Sequence, residues 1–338
     1  MSYKVAINGF GRIGRNAFKI AMNHPELEIV AINDLTSTEI LAYLLKHDSN
    51  YGAYHEEVSH DDTNLIVGGK KVRVTAEKDP TLLPWKAMGV DVVIESTGRF
   101  TAHPDLQKHI QAGAKRVVLS APEKGPESEQ DTFVIGVNGE KLADTNVIVS
   151  NASCTTNNIA PIAVIINEKF GIEKAMMTTV HSYTASQALQ DAPNKDPREG
   201  RNAAENIVPT TTGAATAAAK AYPALKGKFD GLSIRVPTPV VSLSDFTFVT
   251  KKPVTVEEVN AALVAATKEA RFAGILDTSS EPLVSSDYIG NPHSGIVDLL
   301  LTRVVDGNLL KVVAWYDNEW GYSNRLVEQV VNVAKTIA

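Results

Sequence analysis

The stretch Gly9-Phe10-Gly11-Arg12-Ile13-Gly14 follows the apolar run Val5 to Ile7 and opens a helix-patterned segment, Arg12 to Asn23. Glycines at that spacing allow a tight strand-to-helix turn, let the backbone approach a phosphate, and let the helix pack on the strand. The N–H groups of the first helical turn attract an anion at the same place. A second apolar run, Glu28 to Asn33, ends in Asp34, twenty positions after Gly14 (34 − 14 = 20). A carboxylate there accepts the hydroxyls of an adenosine ribose and repels a 2′-phosphate, so NAD is expected in preference to NADP. Together these features require a βαβ unit with parallel strands.

The alternation continues through Thr38 to Lys46 (helix) and strands at Asp91 to Glu95, Arg116 to Ser120, Thr132 to Val137 and Val147 to Ser150. A hairpin is expected over Asn64 to Thr75, turning at Gly68-Gly69. Such alternation predicts an α/β Rossmann fold, doubly wound on a mostly parallel sheet. The second half carries longer strands, Leu232 to Val236, Asp245 to Thr250 and Leu309 to Tyr316, with helix around Val256 to Ala270. This pattern predicts an α+β catalytic domain with a mostly antiparallel sheet. We therefore assign residues 1–153 to an NAD-binding domain and 154–318 to a catalytic, substrate-binding domain. A C-terminal helix within 319–338 joins the first, its apolar face drawn by Leu326, Val327, Val330, Val331 and Ala334. The polar segment Ser182 to Asn206 is too long for an idle connection and is expected to line a site or a subunit contact.

With 338 residues, 43% hydrophobic and 21% charged, the chain can bury two cores. No run approaches the roughly 20 apolar residues of a membrane span, so a soluble, cytoplasmic protein is expected. The net charge of −6 and the lack of a dense basic run give no reason to expect a nucleic-acid or membrane partner. One cysteine can form no internal disulfide and no cysteine-rich zinc site; no metal is expected. That thiol is either a buried filler or a reactive group.

Cys154 lies in Ser150-Asn151-Ala152-Ser153-Cys154-Thr155-Thr156-Asn157, after a strand and just before the helix-like stretch Asn158 to Lys169. Polar neighbours favour the reactive reading, and a helix N-terminus is expected to lower the thiol pKa. A nucleophilic cysteine also needs a base. His181 ends the apolar run Met176 to Val180 and begins the polar loop, a position from which an imidazole can face a cleft; position alone leaves a surface or packing role open.

At these residues the chain resembles the phosphorylating glyceraldehyde-3-phosphate dehydrogenase family over essentially its whole length. The likeness rests on Ile7 to Gly14, Ser96-Thr97-Gly98, Ala152 to Asn157, His181 to Thr184, Thr212 to Ala215, Arg235 to Thr238 and Trp315 to Tyr322. The resemblance implies oxidation of glyceraldehyde 3-phosphate with NAD and inorganic phosphate, in glycolysis or gluconeogenesis, by a homotetramer. It implies Cys154 as nucleophile and His181 as base. It places Thr184 and Arg235 at the substrate phosphate, and Ser153, Thr155, Thr212 and Gly213 at the attacking phosphate. Around NAD it implies Gly9, Gly11, Arg12, Ile13, Gly14, Asp34, Lys78, Ser120 and Asn318. The sequence departs from the pattern of many bacterial members at Glu199, flanked by Arg198 and Arg201, at Ser186 and at Lys78. An erythrose-4-phosphate dehydrogenase would share most of these residues, and a binding or adhesion role on the same fold is a further alternative.

Overall fold

The computed structural model describes residues 2–126 and 131–337. The chain divides into two compact units: one holds residues 1–133, 139–152 and 323–338, the other 134–138 and 153–322.

The first unit is built on an eight-stranded sheet in the order Ile148–Ser150, Arg116–Leu119, Val92–Glu95, Tyr3–Asn8, Leu27–Asn33, Lys70–Thr75, Asn64–Val67, Val58–His60. The first six are parallel neighbours, and the last two join antiparallel. Both faces of the central strands are apolar: Val5, Ala6 and Ile7 are buried together with Val92, Val93 and Ile94, as a parallel sheet covered on both sides requires. The predicted hairpin forms, with Gly68 and Gly69 at φ +54° and +77°, the left-handed pair that a two-residue turn demands. One expected strand is corrected. Thr132 to Val137 supplies a single bridge, Thr132 to Ser150, and then turns, with Val137 N–H closing back on the Val134 carbonyl.

At the carboxyl ends of the central strands a buried polar network replaces apolar packing. Glu95 accepts from Asn8 Nδ2 at 2.6 Å and from Thr97 N–H at 2.8 Å. Trp85 Nε1 donates to His109 Nδ1 at 3.1 Å, which leaves His109 Nε2–H to donate to Glu95 at 3.1 Å. Asn33 Nδ2 donates to Asn8 Oδ1 at 2.7 Å. Buried polar atoms persist only when satisfied, so this network sets the strand ends that carry the glycine turn.

The second unit holds a mixed sheet in the order Val208–Thr210, Phe229–Val236, Ile172–Ser182, Ser242–Thr250, Leu309–Tyr316, Gly295–Asp298, Leu276–Ser279, with Arg303–Val305 paired to Leu309–Tyr316. Most pairs are antiparallel, and two are parallel. The 17-residue helix Cys154–Phe170 is buried along most of its length. The register of the parallel pair sets His181 directly opposite Arg235. The closing helix, Trp320–Ala334, begins a turn earlier than its apolar pattern suggested. No helix among the described residues is long and apolar enough to cross a membrane.

Candidate active site

In the first unit, Gly9 sits at φ +93°, and a Cβ there would lie 2.7 Å from Thr97 N. On Gly14 a Cβ would lie 2.1 Å from the Gly9 carbonyl oxygen. Only glycine fits either place. Gly11 faces open space at the N-terminus of helix Arg12–Ala21, where no side chain caps the turn. A cleft of about 330 Å³ opens there, lined among others by Gly11, Asp34, Leu35, Lys78, Thr97 and Phe100. Asp34 accepts from Phe10 N–H at 2.8 Å and from Thr36 N–H at 3.0 Å, and each of its oxygens keeps a second lone pair for a hydroxyl. Uncapped N–H groups, a carboxylate acceptor and two apolar walls, Leu35 and Phe100, fit NAD. The Arg12 guanidinium is bonded to Asp48 at 2.8 Å and lies 5.6 Å from the Tyr51 ring centre. Ser120 follows strand Arg116–Leu119, its N–H on the Glu95 carbonyl at 2.9 Å, and is not among the residues lining the cleft.

In the second unit, the thiol is positioned by a tight turn and a cap. Ala152 takes φ +55°, and Ser153 caps the helix, its Oγ accepting from Thr156 N–H at 3.0 Å. Cys154 is thus the first residue of the helix, earlier than the apolar pattern from Asn158 indicated, because Thr155, Thr156 and Asn157 are buried helical residues and not loop. Cys154 Sγ lies 3.6 Å from His181 Nε2, and His181 Nδ1 lies 2.7 Å from the Ser182 carbonyl. A carbonyl only accepts, so the proton sits on Nδ1 and the Nε2 lone pair faces sulfur.

Burial pushes the imidazole down to about 3, helped by the nearby Arg235 charge, so His181 is neutral over the physiological range. Burial likewise pushes the Cys154 thiol up, with Arg235 and the helix-start hydrogen bonds opposing it. The helix start was expected to lower the thiol pKa; here desolvation outweighs it and the net direction is upward. The pair rests as thiol and neutral imidazole, one proton transfer from thiolate and imidazolium.

Arg235 bears on both groups, and its Nε and Nη1 are buried without a hydrogen-bond partner. A buried cation with bare donors is costly unless an anion completes it, and among the described residues no ion pair engages it. Asn318 Oδ1 accepts from the hydroxyls of Ser182 at 2.8 Å and Ser242 at 3.1 Å. Two hydroxyl donors fix the amide's orientation and leave its NH₂ to a ligand.

The expected phosphate ligands divide. Gly213 is open and caps helix Ala214–Ala221 without a side-chain bond, and Thr212 Oγ1 accepts from Ala214 N–H at 3.2 Å. Thr184 Oγ1 pairs with Ser186 Oγ at 3.0 Å. Thr155, by contrast, is buried with its hydroxyl 2.9 Å from Tyr316 Oη, which also meets Thr179 Oγ1 at 2.8 Å. Ser153 Oγ is engaged in the cap. The Thr155 hydroxyl also lies 4.0 Å from Cys154 Sγ, beside the thiol. Glu199 accepts from Thr210 Oγ1 at 3.1 Å, and Arg201 is paired with Asp191 at 2.9 Å.

Residues 153–318 match the family model described as the glyceraldehyde 3-phosphate dehydrogenase C-terminal domain, and residues 3–103 match its NAD binding domain. The chain belongs to the glyceraldehyde 3-phosphate dehydrogenase family. It is 54% identical over 336 residues to glyceraldehyde-3-phosphate dehydrogenase 1 of Bacillus subtilis, covering 99% of each chain. It is 54% identical over 335 residues to the glyceraldehyde-3-phosphate dehydrogenase of Geobacillus stearothermophilus, again 99% of each. The Zymomonas mobilis enzyme of that name is 50% identical over 339 residues, 100% of each. As in this family, the chain is an NAD-dependent oxidoreductase.

Sequence reasoning passed over Tyr316, whose ring meets His181 edge-on at 6.0 Å and whose hydroxyl ties the helix start to the sheet. The signal was present: Leu310, Val312, Ala314 and Tyr316 share one face of their strand and all are buried. Phe100 in the nucleotide cleft was also passed over, lying in an irregular stretch with no period to mark it.

Proposed function

We infer that the chain oxidises glyceraldehyde 3-phosphate to 1,3-bisphosphoglycerate with NAD and inorganic phosphate. The observation that carries this reading is the Cys154–His181 pair at 3.6 Å beside the half-buried Arg235, whose Nε and Nη1 have no hydrogen-bond partner. NAD, when bound, supplies the hydride acceptor. Asp34 would hold its ribose, Asn318 its amide, and the first-turn backbone at Ile13 and Gly14 its pyrophosphate, with Lys78 at the cleft wall. Because the Arg12 side chain is engaged by Asp48, its part at the pyrophosphate is confined to the backbone.

Attack of Sγ on the aldehyde carbon passes the thiol proton to His181 Nε2 and forms a thiohemiacetal. The Cys154 N–H, at the helix start, faces the developing oxyanion. His181 returns that proton to the oxyanion to complete the thiohemiacetal hydroxyl, and takes it back as the carbon is oxidised, leaving a thioester on Sγ. Phosphate attacks the thioester carbon, the C–S bond breaks, and the product leaves as an acyl phosphate. Arg235 and Thr184 hold the substrate phosphate, and Ser153, Thr155, Thr212 and Gly213 the attacking one. NADH formation from glyceraldehyde 3-phosphate is expected to depend strictly on inorganic phosphate after the first turnover. Multiple turnover in phosphate-free buffer, or faster turnover of erythrose 4-phosphate, would remove this assignment. The relatives above are named for glyceraldehyde 3-phosphate, and the 3.6 Å approach of Cys154 Sγ to His181 Nε2 supports a thiol reaction, so neither alternative is favoured.

We also propose a cytoplasmic homotetramer. Leu189 and Ile207, in and beside the long loop, are 75% and 70% exposed, and Met176, Leu300 and Leu309 add further exposed apolar surface. Sedimentation at micromolar concentration is expected to give about four times the 36.4 kDa chain mass; a monomeric mass would refute it.

A further inference from the structure

A second cluster of titratable side chains lies in the nucleotide-binding unit. His103 is the first residue of helix His103–Gln111. Glu123 and Asp131 belong to the chain that follows strand Arg116–Leu119, held beside the helix start by the Lys124 N–H bond to the Thr101 carbonyl at 2.8 Å. His103 Nδ1 lies 3.1 Å from Glu123 Oε1 and 3.2 Å from Asp131 Oδ2. One donor atom from each residue lies within 4.8 Å of the others. The Glu123 side chain is fully buried, and its second oxygen, Oε2, accepts no hydrogen bond.

A buried carboxylate oxygen without a donor is a costly arrangement that native structures seldom keep. Two carboxylates converge on one imidazole here, which brings like charges together. A divalent cation at the centre cancels that charge and gives Oε2 a partner. Ligands about 2.0–2.2 Å from a tetrahedral ion stand roughly 3.3–3.6 Å apart; His103 Nδ1 stands 3.1 and 3.2 Å from the two carboxylates, whose own donor oxygens lie within 4.8 Å of each other. One imidazole with two carboxylates suits Zn²⁺ and its first-row neighbours, whereas Mg²⁺ and Ca²⁺ take oxygen alone. The outer nitrogen is supported as well: His103 Nε2 lies 3.2 Å from the Gln107 side-chain amide. Turned end for end, that amide accepts the Nε2–H and frees Nδ1 to ligate.

We propose that His103, Glu123 and Asp131 bind one divalent transition-metal ion of the zinc class, tying the segment around Glu123 to the start of helix His103–Gln111. The test uses full-length, untagged, chelator-treated protein carrying Cys154→Ser, so that the only thiol cannot take the metal. Titration with Zn²⁺ by calorimetry is expected to show one site per chain and a raised unfolding midpoint. Co²⁺ is expected to give the visible absorption of a low-coordinate ion. Glu123→Gln, which keeps shape and removes charge, is expected to weaken binding by roughly 100-fold, at or beyond the upper end of losses seen for outer-shell partners. His103→Asn, at a partly exposed position, gives the same reading should Glu123→Gln fold poorly. Absence of Zn²⁺ binding, or binding unchanged in both variants, overturns the proposal and leaves the three residues as an ion-pair cluster.

Discussion

Cys154→Ser is expected to lower phosphate-dependent NADH formation by a factor on the order of 10⁴ or more, in line with removal of other covalent nucleophiles. The serine hydroxyl is far less acidic than a thiol and far less polarisable, and a neutral His181 is too weak a base to ionise it. The substitution is nearly isosteric at the first residue of a well-capped helix, so the unfolding midpoint is expected to stay within the small range of benign changes. Cys154 is the only cysteine, so one alkylating group per chain on the wild type should reproduce the loss. Turnover that survives full alkylation would require another nucleophile, and the carbon–sulfur intermediates proposed here would fall with it.

His181→Asn is expected to lower kcat/KM at pH 7 by about 10² to 10⁴, the usual worth of a positioned general base. The deficit should shrink as pH rises, because the raised thiol then ionises without help; a merely structural role would give a deficit independent of pH. Stability supplies a second readout. The folded imidazole titrates near 3 and the unfolded one near its ordinary 6.5. Between those values the unfolded chain binds the extra proton, so stability is full above pH 6.5 and declines as pH falls toward 3. From pH 7 to pH 5 the wild type should lose about 2 kcal/mol through this group, at about 1.4 kcal/mol per pH unit below 6.5. His181→Asn should not show that part of the loss. Identical acid sensitivity of the two proteins in urea melts would mean that His181 is already charged or solvated in the folded state.

The sequence alone determined a good deal, because the relevant rules act over short stretches of chain. The turn at Gly9 to Gly14 and the carboxylate of Asp34 were legible, since spacing and local backbone freedom decide them. So were the Gly68-Gly69 hairpin and the strand Leu309–Tyr316, where period 2 is read directly. The thiol's place at a strand-to-helix turn was legible too, although the helix begins four residues before its apolar pattern.

Other features belong to the tertiary structure, because they depend on residues far apart in the chain. The sheet register sets His181 opposite Arg235, whose Nε and Nη1 are buried without a hydrogen-bond partner. Burial decides the protonation of the thiol pair: a helix N-terminus seen in sequence suggests a low thiol pKa, but desolvation by the surrounding fold outweighs it. Tyr316, far along the chain, meets the Thr155 hydroxyl at 2.9 Å and so ties the start of the helix to the sheet. His103, Glu123 and Asp131 share no motif spacing, and only the bonding of the segment after Arg116–Leu119 to the Thr101 backbone brings them together. Local chain geometry sets which groups a turn can present; desolvation and nonlocal pairing set what charge those groups carry and what they can bind.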